Sequence, residues 1–195
     1  MTAPLMKRPP MPAQTGVWVG IGAITMSFAA YSSALIVRQG ASPDWVHFTL
    51  PPILFLNTLV VLASSATLFL ARSYFGAMAS SSDSPHAEAE GPPSWLYFTI
   101  VLGALFLIGQ ILAWRNLAGQ GLSLASGPSS AFFYLLTAVH GLHLLGGLAG
   151  LAYVVYRIRR SSALHAVTSY KAASLYWHFM TVLWLYLFAI LVTRI

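Results

Sequence analysis

The sequence predicts an all-α protein, an integral membrane bundle of five transmembrane helices. Three observations carry that prediction. Hydrophobic residues fill 57% of the 195 positions and charged ones 7%, with a mean hydropathy of +0.73, which excludes the composition of an ordinary soluble domain. A spanning helix needs about 20 mostly apolar residues, and five stretches supply them: 15–37, 50–70, 95–114, 129–156 and 172–192. All ten basic residues lie between or beyond those stretches.

Residues 1–14 hold four prolines and read as a mobile cytoplasmic tail ahead of a transmembrane domain over 15–195. The first stretch is too long for the apolar core of a cleavable signal, and no Ala-x-Ala type of site follows it before Arg38, so it is expected to remain as a helix. Pro51 and Pro52 open the second stretch, where a missing N–H matters least. Residues 76–94, GAMASSSDSPHAEAEGPPS, contain three of the four acids and read as a flexible cytoplasmic connector, with His86 a solvated loop residue. Small residues recur within the spans: Gly16 and Gly20, Ser64 and Ser65, Thr137 with Gly141, Gly146 with Gly150. In lipid such faces let backbones approach closely, so they predict a packed bundle and no particular activity. The six tryptophans mostly fall near the expected helix ends, the interfacial position usual for indoles. No internal repeat is evident, which disfavours an inverted-repeat transporter.

The formal charge of +6 does not indicate nucleic acid, because the basic residues are scattered and form no stripe. They report topology. Lys7, Arg8, Arg72, Arg157, Arg159, Arg160 and Lys171 share one side of a five-span protein, against Arg38, Arg115 and Arg194 on the other. The excess places the N-terminus in the cytoplasm and the C-terminus outside. The lack of cysteine removes disulfides, iron–sulfur clusters and thiolate metal sites.

An ionisable group at membrane depth is expensive, and so is a functional candidate by default. The spans contain no Asp, Glu, Lys or Arg, which argues against a proton wire or cation-coupled carrier. Their polar inventory is His140, His143, His178, Asn57, Gln110 and several hydroxyls. His140 and His143 sit about 60° apart on one helix and share a face. Counted from the basic residues that flank their spans, His143 and His178 differ in height by roughly 10 Å, which argues against a joint site. Zinc would want three or four ligands, and a b-type haem needs two imidazoles facing each other at one level. The leading reading is therefore histidines, Asn57 and Gln110 hydrogen-bonded between helices. The alternatives are a b-type haem electron carrier and, less favoured, a small transporter or channel.

Two segments then match a family. FFYLLTAVHGLHLLGG (132–147) and LYWHFMTVLWLYLF (175–188) resemble the His-Gly-Leu-His and Tyr-Trp-His-Phe segments of subunit III of haem–copper terminal oxidases. LPPILFLNTLVVLASSATL (50–68), GQILAWR (109–115) and GVWVGIGAITMSFAAYSSALIVR (16–38) are similar to other helices of its short, five-helix bacterial form. The resemblance implies a subunit of a cytochrome c or quinol oxidase complex in the bacterial inner membrane, with no active site of its own. Haem and copper are then expected in partner subunits, and neither in this chain. The implied partners are catalytic subunit I, subunit II and membrane phospholipids, with this chain helping to sustain turnover and proton uptake. By the same resemblance His140, His143, Trp177, His178 and Trp184 become packing, hydrogen-bonding or lipid-contacting residues, and Arg115 a partner for a lipid phosphate. Ile24, Ala113, Lys171 and Thr181 stand where many members carry acids, so roles that depend on those carboxylates do not transfer.

Overall fold

The computed structural model describes residues 12–41, 43–80, 93–160 and 163–195; most of the expected tail and connector, His86 included, lies outside the described residues. The described residues form six helices and no strand: α1 (Pro12–Ala41), α2 (Ile53–Leu70), α3 (Arg72–Ser80), α4 (Ser94–Gly119), α5 (Pro128–Arg160) and α6 (Ala163–Arg194). Five helical segments are long and apolar enough to cross a membrane, with α2 and the start of α3 making the second. The predicted class, an all-α five-span bundle, is the observed one.

Helix α6 is the centre, packing on α1, α2, α3 and α5, while α2 runs along α4 and α4 along α5. Helix α1 lies on α5 and α6, with no comparable packing on α2 or α4. Its buried stripe, Ile21, Ile24, Phe28, Ser32 and Leu35, follows the three-to-four residue spacing of one helix face, and the rest of its surface points outward.

The helices extend past the expected membrane spans, and α6 begins at Ala163, ahead of the span expected from 172. The helix itself continues on the N-terminal side of Lys171. Ala166, Val167 and Tyr170 are buried, the Tyr170 ring stacks on Phe75 of α3 at 3.8 Å, and its hydroxyl donates to Leu68 O at 2.9 Å. That packing carries the helix through a stretch which hydropathy treats as a loop. Likewise α3 continues to Ser80, into the stretch read as connector.

Two ends are closed by specific bonds. At the end of α4, Gly121 takes φ +83°, Leu122 N–H reaches Leu117 O and Gly121 N–H reaches Ala118 O, the paired bonds of a Schellman cap. Gly121→Ala is expected to lower stability by about 1 kcal/mol, because a Cβ disfavours that backbone region; thermal unfolding of the detergent-solubilised chain measures it. At the end of α6, Gln39 Nε2 and Trp45 Nε1 both donate to Arg194 O (3.0 and 3.2 Å), and Phe48 N–H donates to Ile195 O (3.1 Å). The last turn of α1 and the α1–α2 loop thus satisfy carbonyls that a helix end leaves open.

Candidate functional site

Consecutive residues leave a helix about 100° apart, so Tyr176, Trp177 and His178 of α6 address three directions. The Tyr176 hydroxyl donates to His143 O on α5 at 3.0 Å. Trp177 Nε1 donates to Ser64 Oγ on α2 at 3.0 Å, and His178 Nδ1 lies 2.5 Å from Ser65 Oγ. Two turns further, Trp184 Nε1 donates to Thr58 Oγ1 of α2 at 3.0 Å. The two indoles therefore clip α6 to α2 at two levels. Ser64 passes the connection on by donating to Thr99 O of α4, and Thr67 Oγ1 lies 2.9 Å from Thr99 Oγ1. Bonds of this kind contribute about 1 kcal/mol each between membrane helices.

Trp177 and Trp184 are fully buried, which corrects the interfacial reading of these two indoles. A polar N–H with a hydroxyl partner can sit in the bundle interior, and the partners come from another part of the chain. The Trp177 ring occupies a slot between glycines: a Cβ added at Gly103 of α4 would lie 2.5 Å from the ring and one at Gly147 of α5 3.1 Å. A second slot joins α2 to α4, where the Asn57 side chain covers Gly109 and Nδ2 donates to Phe106 O at 3.3 Å. Gly16 and Gly20, which the sequence offered as a packing face, meet nothing within 4 Å.

The three histidines go to three places. His178 joins Ser65 on α2. His143 Nδ1 lies 2.7 Å from Val139 O of its own helix, and its ring faces Phe28 of α1 at 5.9 Å. His140 is fully buried between Phe106 of α4 and Trp184 of α6, at centroid distances of 5.8 and 5.1 Å, and neither ring nitrogen has a protein partner. Gln110, also buried, lacks one as well. Interhelical hydrogen bonding therefore describes His178 and Asn57, but not His140, His143 or Gln110.

The predicted height difference between His143 and His178 is also corrected. Gly147 packs on Trp177 and Gly150 on Ala173, so the antiparallel pair brings His178 within about 4 Å of the height of His143. What separates them is direction, His143 toward α1 and His178 toward α2, on opposite sides of the bundle. Among the described residues no three His, Cys, Asp or Glu side chains come together as a metal site. The ion pair between Arg38 and Asp44, at 3.3 Å, is solvent-exposed and adds little.

Between α2, α3 and α6 an open groove of about 420 Å³ is lined by Phe69, Arg72, Phe75, Tyr170, Lys171 and His178 among others. The Arg72 guanidinium lies over the Phe69 ring at 4.7 Å. Arg115 is on the exposed side of α4, one turn before its end.

Sequence reasoning missed Gly103, Gly109, Thr58 and Thr99. The two glycines are six apart and form no small-xxx-small pair, and the hydroxyls give no signal until their indole partners are known.

The family described as cytochrome c oxidase subunit III matches residues 23–193. A probable cytochrome c oxidase subunit 3 of Mycobacterium tuberculosis is 33% identical over 165 residues, covering 84% of this chain and 77% of the relative. Subunit 3 of Thermostichus vulcanus is 29% identical over 184 residues (90% and 84% coverage), and that of Bacillus subtilis 29% over 186 residues (90% and 83%). The match runs through all five spans and takes in both histidine-bearing segments, and on that basis the chain belongs to the cytochrome c oxidase subunit III family, as a multi-pass membrane subunit of an oxidase complex.

Proposed function

We propose that this chain is the non-catalytic subunit III of a bacterial proton-pumping haem–copper terminal oxidase. It packs on catalytic subunit I beside subunit II, binds phospholipid and sustains turnover and proton uptake, with its N-terminus in the cytoplasm and its C-terminus outside. The observation that carries this reading is the family match over 23–193. The site supports it, because indoles, hydroxyls, Asn57 and His178 join helices, and among the described residues no three His, Cys, Asp or Glu side chains gather as a metal site. The Arg72 and Lys171 groove suits a phospholipid, with cations for the phosphate and rings for the chains. Arg115 has the exposure to take a second phosphate.

The test is spectroscopic and compositional. The chain purified alone is expected to show no Soret absorption and no bound copper, and from native membranes it is expected to co-purify with a large multi-helix subunit that carries both. A haem spectrum of the isolated chain, lost on changing His140 or His143, would reverse the assignment in favour of a haem-binding electron carrier.

A single substitution probes the supporting role. His178→Leu leaves Ser65 without its partner and is expected to remove about 1 kcal/mol from the α2–α6 contact. Association with the catalytic subunit weakens, or inactivation during turnover quickens, while the initial rate stays nearly intact. Immediate loss of turnover in a fully assembled complex contradicts this.

A further inference from the structure

Among the described residues, the buried side-chain N and O atoms without a protein hydrogen-bond partner belong to Ser32, Gln110 and His140 alone. They come from α1, α4 and α5, and packing puts them at one height. Across the antiparallel α4–α5 pair, Trp114 stands opposite Thr137 and Gly103 opposite Leu148, so residue 110 comes opposite the turn that carries His140. Phe28 meets His143, so Ser32, one turn further along α1, comes level with Val139.

Gln110 and His140 are also close in direction. Gln110 leaves α4 one turn after Phe106 and about 40° around the helix from it, and the Phe106 ring lies against His140. Trp184 closes the other side of the imidazole, and its own N–H is engaged by Thr58. An amide brings two N–H donors and a carbonyl acceptor, and a neutral imidazole one donor and one acceptor. Buried groups of this kind are nearly always hydrogen-bonded in folded proteins, and where no protein partner is in reach, ordered water takes the place.

We infer that Gln110 and His140 form an internal water-binding site inside the apolar bundle, between α4, α5 and α6. Water fits these groups better than an ion does. The membrane-spanning parts of α4, α5 and α6 carry no acid to hold a cation, and Arg115, the nearest cation along α4, points outward. A water molecule donates to one group while accepting from the other, which neither side chain's aromatic neighbours can do.

Solid-state NMR of the full chain in phospholipid bilayers, with 15N-labelled histidine, reads the site through magnetisation transfer from water to the imidazole nitrogens. A transfer signal from His140 is expected, identified by its loss in His140→Leu. Gln110→Met keeps the bulk of residue 110 and removes its amide, and is expected to abolish that signal while those of His143 and His178 persist. Gln110→Asn withdraws the amide by one methylene and serves in the same way should the Met variant not assemble, with most of the signal lost. A dry His140 in the wild-type chain overturns the inference, as does a direct His140–Gln110 coupling without water, or undiminished transfer in a folded Gln110 variant.

Discussion

Trp177→Ala is expected to destabilise the bundle by about 3–5 kcal/mol, the largest effect of any single truncation here. The indole fills the slot between Gly103 and Gly147, so its removal opens a cavity where α4, α5 and α6 meet. It also takes away the N–H bond that Ser64 accepts, at a hydroxyl that links α6 through α2 to α4. Both losses count in lipid as in water, because they concern contacts inside the protein and not transfer from solvent. Denaturant or thermal unfolding of the full chain in detergent measures the change. A loss below about 1 kcal/mol would show that neighbours collapse into the slot and that the indole is not its keystone.

Gly109→Ala is expected to follow at about 2–4 kcal/mol, although alanine is the better helix former. The added methyl would overlap the Asn57 side chain, which is short, buried and tied by Nδ2 to Phe106 O. Either the amide swings away and leaves buried polar atoms unpaired, or α2 and α4 move apart along their whole contact. Gly20→Ala is the control. It has open space around it in this chain and is expected to be neutral or stabilising by up to about 1 kcal/mol. Adding Asn57→Ala to Gly109→Ala removes the obstacle, so the double variant is expected to be little worse than Asn57→Ala alone. Additive losses would mean that the two positions do not share the slot.

These residues show how the sequence could and could not be read. Apolar length and basic flanks sufficed for the five spans, because the bilayer imposes a length and a charge penalty that act on each segment alone. The motif around His140 and His143 and the one around Trp177 and His178 sufficed for the family. The same rules do not show that α6 begins ahead of its apolar stretch, where Tyr170 is held by Phe75 of α3 and Leu68 of α2, residues about a hundred positions away. They also gave Gly16 and Gly20 a packing role because spacing was the only guide. The close approaches are at Gly103, Gly109 and Gly147, each chosen by a large or polar side chain on another helix.

For the histidines, one-dimensional counting failed in both height and partner. Counting from Lys171 ignores how α5 and α6 dock, and interhelical bonding was expected of all three imidazoles. Only His178 forms such a bond.

By itself the sequence determined the class, the number of spans and the family, because hydropathy, charge and local motifs are properties of each segment. The tertiary structure decided which hydroxyl meets which indole, which glycine faces a ring, and that Gln110 and His140 are each buried without a protein partner. Those outcomes depend on the rotation and depth at which separate helices dock, and in lipid that docking is set by the fit between specific side chains and not by burial of apolar surface.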